Sequence, residues 1–300
     1  MNEPPVLARP LPLRVLIDEA IRQMRRNFSA LYPAIALPLA LLAVPLTFIY
    51  LRRISALASF SSGDPALPNV LLAIGSMGLT LAALMAAHYA AWGASILATM
   101  DAASGRPIQM RKSWIWMLRP RVIWTFLLAM FCWLAASLFC LFPGIYVGFL
   151  LSFVGPVMAE EERFGFRALK RSAQLLHFNI RLSLGDNPIV KAFLLVFVAW
   201  LLATAVSMLV QMPFALAQQI FLIRQASAGE APDPAALMEG MAWFQLPGTA
   251  LGALANAAVY LYINLGIALL FLDVRRRREG ADLDEVLQEL ERSVAEPRTP

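Results

Sequence analysis

The sequence predicts an all-α fold: a polytopic membrane helical bundle of six transmembrane helices with cytoplasmic amphipathic interfacial helices. Three observations carry that expectation. Of 300 residues, 59% are hydrophobic and only 15% are charged, where ordinary soluble domains carry roughly 25% charged residues. Six apolar stretches are suited to hydrocarbon, and the Lys and Arg residues gather on one side of them. With 25 basic and 20 acidic side chains the chain cannot cover a soluble domain of this size, and its apolar excess excludes disorder. The mean hydropathy of +0.64 agrees.

The stretches are 31–50, 70–99, 122–141, 144–158, 192–212 and 244–272. A bilayer core about 30 Å thick takes about 20 helical residues. The second and sixth, at 30 and 29 residues, must tilt or project beyond it. The fourth has 15 residues and follows Pro143-Gly144. It either begins inside the membrane after a tight turn or forms a hairpin of unequal arms with the third.

Charge sets the orientation. With the N-terminus inside, 22 of the 25 Lys/Arg residues fall on cytoplasmic segments. Only Arg52, Arg53 and Arg224 lie opposite, and the first two are expected to snorkel to the outer headgroups. This positive-inside bias predicts a multi-pass protein of the cell (inner) membrane with both termini cytoplasmic. The net charge of +5 follows from the same asymmetry and needs no nucleic-acid partner. Residues 1–12 are polar and proline-rich, so the first span is expected to act as a retained signal-anchor. Cys132 and Cys140 lie eight residues apart in the third span, about 12 Å along a helix, too far to bridge. They are expected to be buried small apolar residues.

The segments before the odd-numbered spans resemble one another. Aligning Ala20 with Ser113 and Ser172 brings together Ile17, Met110 and Leu169, then Ile21, Trp114 and Ala173, then Met24, Met117 and Leu176. Apolar residues at three- and four-residue steps mark one face of a helix. The opposite face is basic: Arg14, Arg22, Arg25 and Arg26 in the first copy, Arg167, Lys170 and Arg171 in the third. The predicted organisation is one integral membrane domain, 1–273, with a threefold repeat of amphipathic helix plus hairpin near 13–99, 106–158 and 164–272, then a cytoplasmic tail, 274–300. Such helices suit the inner-leaflet interface, where a Lys or Arg near anionic headgroups is worth about 1 kcal/mol. Arg22, Arg25, Arg26, Arg167, Lys170 and Arg171 are the candidate lipid contacts. Packing of these helices on one another beneath the bundle is the competing reading. Downstream, Gly185-Asp186-Asn187-Pro188 reads as a turn that caps the next helix, with proline at its first position.

The run 143–179 resembles the shared core of the glycerophosphoryl diester phosphodiesterase membrane-domain family and its uncharacterised multi-pass relatives. The matching residues are Pro143, Gly144, Ile145, Tyr146, Ala168, Leu169, Arg171, Ser172 and Asn179, and 270–290 is similar to the family's closing segment. The resemblance covers about half the chain and implies a multi-pass helical fold. The family takes its name from members fused to a catalytic barrel. These 300 residues encode no such barrel, so that activity is not implied.

Little in the spans could perform chemistry. Among them only His88 is ionisable, with no carboxylate within helical reach. The sixth span carries Gly248, Gly252, Asn256, Tyr260 and Asn264 at four-residue steps. Both amides should face the interior, because lipid offers them no partner. Small residues of the second span, Gly78, Ala82, Ala86, Ala90 and Ala94, form a matching surface. His88, Asn256, Tyr260 and Asn264 are therefore either a packing seam or a polar pocket. The triplet Glu160-Glu161-Glu162 lacks the Arg and later His of a membrane endopeptidase motif, and is expected to complement the positive end of a helix starting near Arg163. No cofactor or metal site is expected. Residues 282–294 form an amphipathic segment that either docks on the basic helices, docks on a partner or stays free. The leading expectation is a non-catalytic module that binds or assembles with inner-leaflet lipid or a protein partner. The alternative is a transporter or flippase-like carrier of a small or lipidic solute.

Overall fold

Helix is the only regular structure in the computed structural model, which describes residues 11–38, 45, 49, 67–177, 183–227 and 234–279. The helices are α1 (Leu13–Pro38), α2 (Leu67–Ala103), α3 (Met110–Met117), α4 (Pro120–Phe139), α5 (Leu141–Leu150), α6 (Val154–Glu160) and α7 (Phe166–Leu176). A 3-10 turn, Leu184–Asp186, leads into α8 (Pro188–Ser227), and α9 (Pro234–Glu279) follows. Four helical stretches among the described residues are long and apolar enough to cross a membrane: Pro120–Phe139, Phe142–Glu160, Pro188–Gln225 and Ala250–Arg278. The chain is thus an all-α protein with several membrane-length helices. Half of the first expected span, Asn179 and the tail segment 282–294 lie outside the described residues.

Several boundaries differ from the sequence expectation. The first amphipathic segment and the start of the first apolar stretch form one uninterrupted helix, α1. At 37, 40 and 46 residues, α2, α8 and α9 run about 56, 60 and 69 Å, well beyond a 30 Å core. Pro213 and Pro247 lie inside α8 and α9 rather than ending them. Each removes one helical hydrogen bond, but in apolar surroundings a helix remains the way to satisfy the rest of the backbone. The expected start of α8 at Pro188 agrees with the structure.

The third and fourth stretches form a hairpin. α4 has 20 residues, and the returning arm 141–160 matches it, so the arms are equal. Cys140 alone joins them, in extended backbone (φ −170°, ψ 151°). A methyl group at Gly144 would collide with Ser137, and one at Gly148 would lie 3.2 Å from Trp133, so the glycines admit the opposite arm. The helix starts at Leu141, before Pro143, because proline is tolerated in a first turn. The expectation for the cysteines is corrected here: Cys132 is half-buried and Cys140 is exposed, because Cys140 is the turn rather than part of a span.

The chain divides into two compact units: Met1–Asn27 with Ile96–Phe197 and Tyr262–Pro300, and Phe28–Ser95 with Val198–Leu261. The first has a core of Leu16, Met100, Phe153, Met158, Leu175, Leu176, Leu195 and Phe271, with the Phe153 and Phe271 rings edge to face at 5.5 Å. In the second, α8 and α9 run antiparallel in one register. A methyl at Gly240 would lie 2.5 Å from the Phe221 ring and one at Gly248 3.1 Å from Phe214. Gly252 meets Gln211, and Asn256 meets Ser207. The glycines of α9 therefore receive bulky side chains of α8, while the side chains of Ala86 and Ala90, part of the surface expected to match them, lie outside the described residues. Gly78 of α2 has open space where a methyl would stand.

Candidate functional site

The charged residues of the first unit converge on the turn between α6 and α7. Glu160 accepts from Arg106 at 2.7 Å and lies 3.6 Å from Arg275, near the end of α9. Arg106 also pairs with the buried Asp101 at 3.0 Å, and its backbone N–H donates to the Asp101 carbonyl at 2.8 Å. Partial burial disfavours the Arg106 charge, but the hydrogen bond and charge of Glu160, followed by those of Asp101, outweigh it and raise its pKa above the usual value. Arg171 Nε donates to both oxygens of Glu161 at 3.1 and 3.0 Å, and Arg163 reaches the same carboxylate at 3.1 Å. The acidic turn is therefore a cross-linking hub through Glu160 and Glu161, whereas Glu162 stands exposed. Its partners correct the expectation that it serves a helix dipole, and the helix starts at Phe166, not near Arg163.

α7 is held by two further contacts. Gly165, at φ +62° and ψ −143°, adopts a backbone conformation suited to glycine and donates its N–H to Thr125 of α4 at 2.7 Å. Ser172 Oγ donates to the Leu150 carbonyl at 2.6 Å, satisfying an acceptor at the end of α5. Ala168, Leu169, Ser172, Leu175 and Leu176 form the buried face of α7. Arg167 and Lys170 stand exposed on the other side. On α1, Leu16 and Ala20 are buried while Arg22, Arg25 and Arg26 are exposed. Arg22 pairs with Glu19 at 3.2 Å. Of the six candidate lipid contacts two are paired, Arg22 with Glu19 and Arg171 with Glu161. Arg25, Arg26, Arg167 and Lys170 form no ion pair among the described residues.

A second charged arrangement pins the chain ahead of α1. Lys191, fully buried near the start of α8, donates to the Leu11 carbonyl at 2.7 Å and lies 3.7 Å from Asp186. Asp273 accepts from the Leu11 N–H at 3.3 Å and from Arg277 at 2.6 Å. One backbone residue is thus gripped through both of its polar groups. Burying an ammonium is costly unless it is paired, and here carbonyl and carboxylate supply the partners.

The intramembrane polar residues do not share one face. Asn264 is 6% exposed and engaged, Asn256 is half-buried, and Tyr260 is 40% exposed. A step of four residues advances about 400°, so each successive position drifts about 40° around the helix. The buried stripe of α9 is instead Ala257, Leu261, Asn264, Leu265 and Ala268. Asn256 Nδ2 donates to Ser207 Oγ at 2.9 Å, and its Oδ1 is buried without a hydrogen-bond donor among the described residues. His88 lies in α2, with its side chain outside the described residues. No set of three His, Cys, Asp or Glu residues among the described residues is placed to hold a metal ion.

Sequence reasoning missed the hub and the Leu11 clamp. A signal was present: Asp101, Lys191 and Asp273 each adjoin an apolar stretch, and ionisable groups at such borders need partners. Their partners lie up to 262 residues away in sequence, beyond the reach of local pattern. No family model matches the sequence, and no curated protein or solved structure matches it either.

Proposed function

We propose that the protein is a non-catalytic, multi-pass inner-membrane module that presents basic amphipathic helices to anionic lipid of the inner leaflet. The charged end of the first unit is the cytoplasmic end in this reading, and both termini are cytoplasmic. The observation that carries it is α7. Its apolar face is buried and tied to α4 and α5, and Arg167 and Lys170 are left exposed and without an ionic partner among the described residues. Lysine and arginine held there suit phosphate headgroups, and Arg25 and Arg26 of α1 add to the same chemistry. The threefold repeat is supported by one coincidence: the aligned residues Ala20, Ser113 and Ser172 are all fully buried. The likeness to the phosphodiesterase membrane-domain family rests on the 143–179 motif. Ala168, Leu169, Arg171 and Ser172 of that motif pack, pair and cross-link, which favours a structural over a chemical role.

The test replaces Arg25, Arg26, Arg167 and Lys170 by Gln and compares lipids retained through purification. Anionic lipid enrichment should fall while the protein stays inserted, because apolar spans dominate insertion. Unchanged enrichment would refute the lipid reading and favour a protein partner. A second reading, a carrier for a small or lipidic solute, is supported by the buried acceptor Asn256 Oδ1. It requires Asn256→Leu to abolish solute movement in a folded protein.

A further inference from the structure

We infer that the α4–α5–α6 hairpin enters the membrane from its charged base and returns without emerging, its tip ending among the lipids of the outer leaflet. The inference rests on the orientation proposed above. From 122 to 159 the chain carries no charged residue, and the turn is included in that run. The links expected on the same side differ: 51–66 holds Arg52, Arg53 and Asp64, and 228–233 holds Glu230 and Asp233.

Length decides the depth. The base is held at the polar boundary by the exposed Arg121 on one arm and by Glu160, paired with Arg106 and Arg275, on the other. The 19 steps from Arg121 to Cys140 rise about 28 Å, and a tilt of about 20° brings this to about 27 Å. That is no more than the thickness of a core about 30 Å deep, so the tip reaches the outer leaflet with no residues left over to form a loop in water. By contrast, α8 and α9 hold 40 and 46 residues, about 60 and 69 Å, and clear it easily.

The tip is built for hydrocarbon. Leu138, Phe139 and Phe142 are 87%, 90% and 79% exposed, so none of the described residues covers them and acyl chains are their natural solvent. The connection is a single residue, which keeps the non-helical backbone short, as lipid favours. Cys140 N–H donates to the Ala136 carbonyl at 3.4 Å, and its own carbonyl accepts from Gly144 at 3.2 Å. Pro143 removes one of the first-turn donors that a helix leaves unpaired. A turn destined for water has no need of these economies, and polar turn residues are the usual choice there.

Cys140 is a built-in probe. In a Cys132→Ser variant in native membranes, a charged, membrane-impermeant maleimide should leave Cys140 unlabelled in both right-side-out and inverted vesicles, and label it fully after SDS. Ser227→Cys, in a background without either native cysteine, should label from outside. Labelling of Cys140 from outside as fast as Ser227→Cys would overturn the inference. If Ser227→Cys labels only in inverted vesicles, the proposed orientation fails, and a Cys140 silent on both faces still upholds the buried tip. A nitroxide on Cys140 gives an independent readout: collisions with oxygen should exceed those with a water-soluble nickel chelate, and the reverse order would overturn the inference.

Discussion

Glu161→Gln tests whether the acidic turn holds α7 in place. The Glu161 carboxylate is 6% exposed and Arg171 17%, with Nε to both oxygens at 3.0 and 3.1 Å. Removing one partner of a fully buried pair costs about 3–5 kcal/mol. Residual solvent at Arg171 lowers that figure, and the contact to Arg163, 52% exposed, adds less than about 1 kcal/mol. Glu161→Gln and Arg171→Met should therefore each destabilise by about 2–3 kcal/mol. The double variant should lose less than the two separate effects together, with a coupling of about 1.5–3 kcal/mol. The assay is unfolding in mild detergent, followed by tryptophan fluorescence for all four proteins of the cycle. Additivity within about 0.5 kcal/mol would refute the reasoning, because it would mean that the pair contributes no mutual stabilisation.

Other expectations follow from the packing and the polar contacts. Gly240→Ala should cost about 1–3 kcal/mol through overpacking against Phe221, whereas Gly78→Ala should be neutral or stabilising; equal detergent stability of the two would contradict the register of α8 and α9. Ser207→Ala and Asn256→Leu should each change stability by about 0.6 kcal/mol, the average for interhelical hydrogen bonds in membranes, and a loss of several kcal/mol in thermal unfolding would rule out simple glue. Lys191→Met should free the Leu11 carbonyl and speed trypsin cleavage after Arg14 in the first turn of α1, while an unchanged cleavage rate would show that Asp273 alone holds the segment.

Hydropathy made the helical class and the membrane-length elements legible, because burial in lipid leaves a continuous apolar run that needs no partner to be recognised. The middle hairpin was legible too, although the placement of its turn was not. Pro143-Gly144 looked like the corner, whereas the extended residue is Cys140 and the glycine serves close approach to Ser137. The four-residue ladder on α9 misled because a sequence interval is not a helical face: Tyr260 is exposed and Asn264 buried. Ion pairs were the least legible. Glu160 and Arg275 lie 115 positions apart, and nothing local to either announces the other. Composition could count these charges but could not pair them.

The register of α8 and α9 constrains which sequence changes this protein can accept. Gly240, Gly248, Gly252 and Asn256 climb α9 as Phe221, Phe214, Gln211 and Ser207 descend α8. Deleting one residue between Ser207 and Phe221 turns everything beyond it by about 100° and pulls it back about 1.5 Å. Phe221 would then no longer meet Gly240. Substitutions can be absorbed one at a time, but a change of length in one helix must be answered by an equal change at the same depth in the other. Natural variation across 207–256 should therefore appear as exchanged side chains, with insertions and deletions confined to the link at 228–233, where they leave the pairing untouched.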